Sequence, residues 1–146
     1  MKLSTRARYG TRAMVELAAA APHKPLSTQE VARSQRLSVK YLEQILAPLK
    51  AAGLIKAVRG VHGGHALARP AGEINLLDIY TAIEGAPVLV ECVADSGSCP
   101  ASCSCPTRDT WLQMNDAIQS ILGKTTLQDL LERGRSKNRP GVAGKK

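Results

Sequence analysis

Four cysteines, Cys92, Cys99, Cys103 and Cys105, fall within fourteen positions, separated by six, three and one residues, and the 146-residue chain has no others. Thiols gathered so closely, in a chain that opens with no export signal, read as metal ligands or redox sensors ahead of structural disulfides. Two disulfides are the plain alternative. The spacing is not the paired Cys-x-x-Cys of a zinc ribbon, so structural zinc stays open without being indicated. Irregular thiolate spacing on a loop rich in Gly, Ser and Ala suits an iron-sulfur cluster, whose irons take tetrahedral sulfur ligation. A cysteine nucleophile would need a base nearby, yet His23, His62 and His65 all lie in the first half of the chain. The chain therefore reads as a protein that is not an enzyme.

The elements that must carry these thiols follow from composition and charge. Aromatic residues make up 3% and Phe is absent, so the core has to be built from Leu, Ile, Val and Ala. At this length that favours packed helices over a large sandwich or barrel. No apolar run approaches the roughly 20 residues that span a bilayer, and Met1-Lys2-Leu3-Ser4-Thr5-Arg6 lacks the apolar stretch of a secretion signal. The expectation is a cytoplasmic protein with no membrane contact. Residues 1–69 hold 12 basic against 3 acidic side chains, residues 70–134 hold 3 against 9, and residues 135–146 add five more cations. A basic first half on an acidic second half is the layout of a chain that touches a polyanion with one part only. Charge alone leaves DNA, RNA, a membrane surface and a merely solvated basic face all open.

Pattern narrows the choice. Residues 5–20 read as a helix with Arg6, Arg8 and Arg12 on its polar side. Ser27-Thr28-Gln29-Glu30 is a capping box that opens a short second helix to about residue 34. Ser38 is a natural N-cap for a third, with Leu42, Ile45, Leu46 and Leu49 at helical spacing, Gly53 as a stop, and Pro48 set to bend it or move its end. Two short helices in this order, the second opening on Ser38-Val39-Lys40-Tyr41, fit a helix-turn-helix whose second helix enters the major groove. Residues 54–58 and 66–69 read as two short strands around the glycine-rich turn Arg59-Gly60-Val61-His62-Gly63-Gly64-His65, the wing of a winged helix. Arg59 at its base is placed for a narrow minor groove. A phosphate-cradling loop is the rival reading of Gly60, Gly63 and Gly64, but the Gly-Lys-Ser/Thr ending of a P-loop is missing.

In the second half, residues 74–84 read as a helix stopped by Gly85, and residues 88–106 have no helical period and hold every cysteine. From about Thr107, Trp111, Met114, Ile118, Ile121 and Leu122 make a long amphipathic helix, and residues 126–133 add a short last one. A long apolar stripe beyond a DNA-binding module finds either a partner copy or its own body. Residues 135–146 read as a disordered basic tail.

The order of Met1-Lys2-Leu3-Ser4-Thr5-Arg6-Ala7-Arg8-Tyr9-Gly10, Ser38-Val39-Lys40-Tyr41-Leu42-Glu43-Gln44 and Val58-Arg59-Gly60-Val61-His62-Gly63-Gly64-His65-Ala66-Leu67, then the cysteine loop and Trp111, resembles the Rrf family of bacterial winged-helix transcription regulators. The likeness covers about residues 1–133. It implies a homodimer, paired through the helix from about Thr107, on a palindromic double-stranded operator. Base readers would be Ser38, Lys40, Tyr41, Glu43 and Gln44, with Arg59 as the wing arginine. Cluster-binding members carry three cysteines at spacings that match Cys92, Cys99 and Cys105, which names these as ligands of a [2Fe-2S] or [4Fe-4S] cluster. Two non-thiolate fourth ligands used in the family are missing, since Arg108 and Arg8 stand at the matching positions. Cys103 as a fourth thiolate, or another oxygen donor, is the alternative for that place. His65 departs mildly from the family, which often has Tyr there, and reads as a wing surface residue ahead of a ligand.

The fold class that follows is mainly α with a small β-wing, a winged helix-turn-helix plus a long dimerisation helix. Residues 1–69 form the DNA-binding domain, 70–106 a connecting helix and cysteine loop, 107–134 the dimerisation and C-terminal helices, and 135–146 the tail. The expected function is a transcription regulator, acting as a repressor, that senses iron-sulfur cluster, redox or nitric oxide status. The rival is a zinc-bearing nucleic-acid binder or thiol-redox regulator without a cluster.

Overall fold

The computed structural model describes residues 3–20 and 24–137. His23 and residues 138–146 of the expected tail lie outside them. Helix α1 (Thr5–Ala19) opens at Ser4, whose hydroxyl accepts the Ala7 N–H at 3.0 Å. It buries Ala7, Gly10, Ala13, Met14 and Leu17, the three- and four-residue spacing of one helix face. A methyl group at Gly10 would overlap the terminal Cδ1 of Ile83 on α4 (Leu76–Glu84), which would have to turn aside for any larger residue.

Helix α2 (Thr28–Gln35) carries the capping box that its sequence predicts: Ser27 Oγ accepts the Glu30 N–H at 3.2 Å, and the Glu30 carboxylate accepts the Ser27 N–H at 2.7 Å. Arg36, in the left-handed region at φ 56°, turns the chain toward α3 (Val39–Ala51). Pro48 does not end α3. It removes the donor that would meet the Gln44 carbonyl, and because Gln44 is exposed, water can satisfy that oxygen. Leu42, Ile45, Leu46 and Leu49 face the core.

The wing is an antiparallel pair, β1 (Ile55–Val58) and β2 (Gly64–Leu67), with Ile55 opposite Leu67 and Val58 opposite Gly64. The second strand therefore starts and ends two residues before the position its sequence suggested. The cause is a further partner: Leu26, just ahead of the capping box, bridges to His65 and draws residues 64 and 65 out of the turn.

After a short 3-10 turn (Ala71–Glu73), α4 begins at Asn75, whose side chain accepts the Asp78 N–H at 2.9 Å. Ile74 stays outside the helix and is fully buried, because its carbonyl accepts the Leu127 N–H while Thr125 O accepts the Leu76 N–H, each at 2.9 Å. These bonds join the start of α4 to the junction of α6 (Arg108–Lys124) and α7 (Leu127–Lys137). Helix α7 runs to Lys137, further than the period suggested. One hydrophobic cluster contains Met14, Leu42 and Leu49 of the first half together with Ile74, Ile79 and Leu127 of the second. The cysteine segment, expected to be without helix, contains the single turn α5 (Glu91–Ala94) and a 3-10 turn (Ser96–Ser98).

Of the two expectations for the stripe of α6, a partner copy or its own body, the single chain leaves part of the stripe uncovered. The one buried side chain of α6 is Asn115, whose Oδ1 accepts the Leu89 N–H at 3.2 Å, while Trp111, Met114 and Ile121 of the apolar stripe are 37%, 45% and 66% exposed. Ile118 and Leu122 of the stripe are half-buried, and Gly123 lies against Leu77 of α4, so the helix meets the body through both polar and apolar contacts and leaves Trp111, Met114 and Ile121 outward.

Candidate functional site

The start of α3 presents Lys40, Glu43 and Gln44 on one exposed face, at the three- and four-residue spacing that puts side chains side by side. Together they offer an ammonium donor, a carboxylate acceptor and an amide that does both, the set needed to read base edges. Ser38 is exposed, and its oxygen is engaged as the helix cap by the Tyr41 N–H at 3.2 Å. Tyr41 is half-buried. Its ring meets Tyr9 edge to face, centroids 6.4 Å apart at 86°, and the Arg12 guanidinium stands 5.6 Å from the Tyr9 ring centre. Much of Tyr41 is thus packing, and it fixes the angle at which α3 leaves α1. Arg59 is exposed directly after β1, and Val61 at the wing tip is 97% exposed.

His65 departs from its expected place on the wing surface. It is half-buried, exchanges two backbone hydrogen bonds with Leu26, and sets Nε2 3.2 Å from the Thr28 hydroxyl at the first turn of α2. Among the described residues its buried Nδ1 has no hydrogen-bond partner. Burial pushes the imidazole pKa below its ordinary value, Lys50 pushes the same way, and Glu43 of the candidate reading face opposes. Leu26 and His65 carry no motif that sequence reasoning would single out. The one signal is that a short strand needs a partner beyond its hairpin mate.

The four cysteines are unpaired thiols: Cys92 on α5, Cys99 after the 3-10 turn, Cys103 exposed, and Cys105 ahead of α6. Ser102 is the buried side chain of this segment and donates to the Ser96 carbonyl. Arg108 Nε donates to the Cys92 carbonyl at 3.2 Å, linking α5 to the first residue of α6. Thr107 Oγ1 accepts the Trp111 indole N–H at 3.2 Å and lies 3.2 Å from Cys105 Sγ. Either the thiol or the hydroxyl can donate across this contact while Cys105 is protonated, and once the thiol ionises the Thr107 hydroxyl is the donor to the sulfur. That bond, then the Thr107 backbone, then Arg108, holds the Cys105 thiol below its ordinary pKa.

Among the described residues no three His, Cys, Asp or Glu side chains come close enough to hold a metal ion. The donor set fits an iron-sulfur cluster in type and number; the arrangement does not gather it. Ligation by Cys92, Cys99 and Cys105 requires residues 92–105 to close up. Ser102 is the only side chain buried there, so little packing opposes that change. No helix of the described residues is long and apolar enough to cross a membrane.

Residues 3–133 match the family described as Rrf2, iron-dependent transcriptional regulator. The protein rrf2 of Nitratidesulfovibrio vulgaris is 39% identical over 131 residues, covering 90% of this chain and 87% of its own. The HTH-type transcriptional regulator CymR of Bacillus subtilis is also 39% identical, over 89% of each chain. The solved CymR structure, described as that of the global cysteine regulator, superposes with a TM-score of 0.78 over 91% of this chain and 98% of that one. T. potens IscR superposes with a TM-score of 0.79 at 32% identity, over 97% and 94%. Of these, the B. subtilis CymR is named as a transcriptional regulator. With a winged helix-turn-helix whose α3 leaves a polar face exposed, this chain belongs to the Rrf2 family of DNA-binding transcriptional regulators.

Proposed function

We propose that the chain is a homodimeric repressor that binds a palindromic double-stranded operator and takes its signal through the cysteine segment. One observation carries the reading: the exposed polar face of Lys40, Glu43 and Gln44 stands on a helix whose other side is core, beside a wing fastened to α2. In this reading Ser38, Lys40, Tyr41, Glu43 and Gln44 meet base edges in the major groove. Arg59 neutralises phosphate or enters the minor groove. The outward stripe of α6 pairs with that of a second copy, because Trp111, Met114 and Ile121 otherwise face water and two-fold symmetry matches a palindrome.

Cys92, Cys99 and Cys105 would hold an iron-sulfur cluster, with Cys103 as the candidate fourth thiolate. The cluster would supply sensitivity to oxygen, nitric oxide and iron supply. The chain's own contribution is mechanical. Cys105 is bonded to Thr107, Thr107 to Trp111 on the dimer stripe, and Arg108 to Cys92, so whatever moves the thiols moves the start of α6.

A second reading, a thiol-based regulator without a cluster, is favoured by the ungathered sulfurs among the described residues and by the Thr107 contact that holds the Cys105 thiol below its ordinary pKa. Anaerobic purification with visible absorption, iron and acid-labile sulfide assays separates the two. A brown protein with near-equal iron and sulfide supports cluster sensing. A colourless protein after reconstitution supports the thiol reading. Operator affinity of the Cys92→Ala/Cys99→Ala/Cys105→Ala variant, unchanged with or without iron and sulfide, would remove sensing and leave DNA binding intact.

A further inference from the structure

A groove of about 650 Å³ opens between the end of α1, strand β2 and helix α7, away from the reading face of α3 and from the cysteines. Small-molecule sites occupy roughly 300–1,000 Å³. Its floor is apolar, with Leu17, Leu67 and Leu131 among small alanines, and Leu17 is almost wholly buried. Its rim carries four cations, Lys24, Lys56, Arg69 and Arg135, from four separate stretches of chain, and among the described residues no carboxylate lines it.

Arg69 meets Asp78 at 3.5 Å, both side chains partly exposed, so part of its guanidinium fork stays available. Among the described residues, Lys24, Lys56 and Arg135 have no carboxylate within 4.0 Å. Like charges brought together around an apolar surface repel one another, and an anion seated among them removes that repulsion. An inorganic ion would leave the leucine floor wet, and a neutral apolar molecule would leave the cations facing each other. A ligand with both features satisfies both.

We infer that this groove binds an amphipathic organic anion, a carboxylate joined to an apolar body, as an input separate from the cysteine segment. Its walls are a wing strand on one side and α7 on the other, so an occupant holds the wing against the body of the protein.

The test is a ¹⁵N NMR titration of the full chain with octanoate, with octanol and inorganic phosphate as the neutral and the purely ionic controls. Saturable shifts at residues 17–20, 66–71 and 128–135, at least tenfold weaker with either control and in Lys56→Gln/Arg135→Gln, are expected. The four groove cations lie on the surface, so this variant keeps the fold, which its NMR spectrum checks. Shifts confined to α6 or to α3, equal binding of phosphate, or octanoate affinity unchanged in the double variant would overturn the assignment. So would a double variant that loses operator affinity with a reduced salt slope and shows no octanoate difference, because the cations would then be phosphate contacts to DNA. The readout is binding of octanoate to protein alone, so it stands or falls independently of the operator and of any cluster.

Discussion

Leu26 and His65 exchange both backbone hydrogen bonds, Leu26 N–H to His65 O at 3.0 Å and His65 N–H to Leu26 O at 2.7 Å. The wing is thereby extended by one rung that belongs to the entrance of α2. A hairpin of two four-residue strands is marginal alone, and this rung gives it a fixed angle to the helix-turn-helix. In the reading proposed here, that angle sets whether Arg59 and the α3 face reach one duplex together.

Gly64 makes the rung. Its φ of +154° suits glycine, and a methyl group there would overlap the Leu26 carbonyl. Gly64→Ala should cost about 2–4 kcal/mol of stability. Operator affinity should fall by more than the unfolded fraction explains. Denaturant melts and DNA titrations on the same samples measure both, and a variant with native stability would show that the bridge is dispensable.

His65 sets an acid limit. Its folded pKa lies below the ordinary value of 6.5, so the unfolded chain takes up the proton first as pH falls. The contribution is present above about pH 6.5 and is lost progressively as pH drops toward the depressed folded value. Thermal melts between pH 7.5 and 5.5 should show Tm declining with acid. In His65→Gln, which keeps a hydrogen-bonding group toward Thr28, the decline should be shallower. Parallel curves would remove His65 as its source.

The winged helix was legible because its signals are local. Ser27 with Glu30, Ser38 with Tyr41, and the leucine spacing of α3 each act within a turn of helix, and each is found where the sequence put it. What was not legible depends on contacts between distant residues. Leu26 meets His65 across 39 positions, Ile74 meets Leu127 across 53, and α6 buries Asn115 while Trp111, Met114 and Ile121 of its stripe face out. Hydrophobic period says that a helix has two faces; it does not say which face its own chain covers. The thiols show the same limit, since spacing names a donor set and only the fold says whether the sulfurs meet.

Thr107 tunes Cys105. Its hydroxyl is shared between the Trp111 indole and the sulfur, and it favours the thiolate. In reduced, metal-free protein at pH 7, Thr107→Val should slow iodoacetamide alkylation of Cys105 several-fold. It should also shift the emission of Trp111, the one tryptophan in the chain. Thr107→Ser should restore both. An unchanged alkylation rate in the valine variant would mean that Arg108 and the helix start suffice.

Glu43 and Arg59 should fail differently. A carboxylate accepts from the cytosine amino group, so Glu43→Ala should alter preference among operator bases. Arg59→Ala should weaken all sequences alike and reduce the salt slope by about one. Equal losses on every sequence from both variants would mean that reader and anchor are misassigned.

Ile121 tests the proposed dimer. It is 66% exposed on the outward side of α6, so Ile121→Glu removes nothing from the core and should change the stability of an isolated chain by about 0.5 kcal/mol or less. In a dimer paired through this stripe, the same change places two carboxylates near the two-fold axis in an apolar seam, where each lacks a partner. Sedimentation should then show a dimer for the unaltered chain and a monomer for the variant, with circular dichroism unchanged. Operator affinity should fall steeply, since a monomer loses the second half-site and its effective concentration. A variant that stays dimeric would move the interface off this face of α6 and leave the exposure of Trp111 and Met114 to another partner.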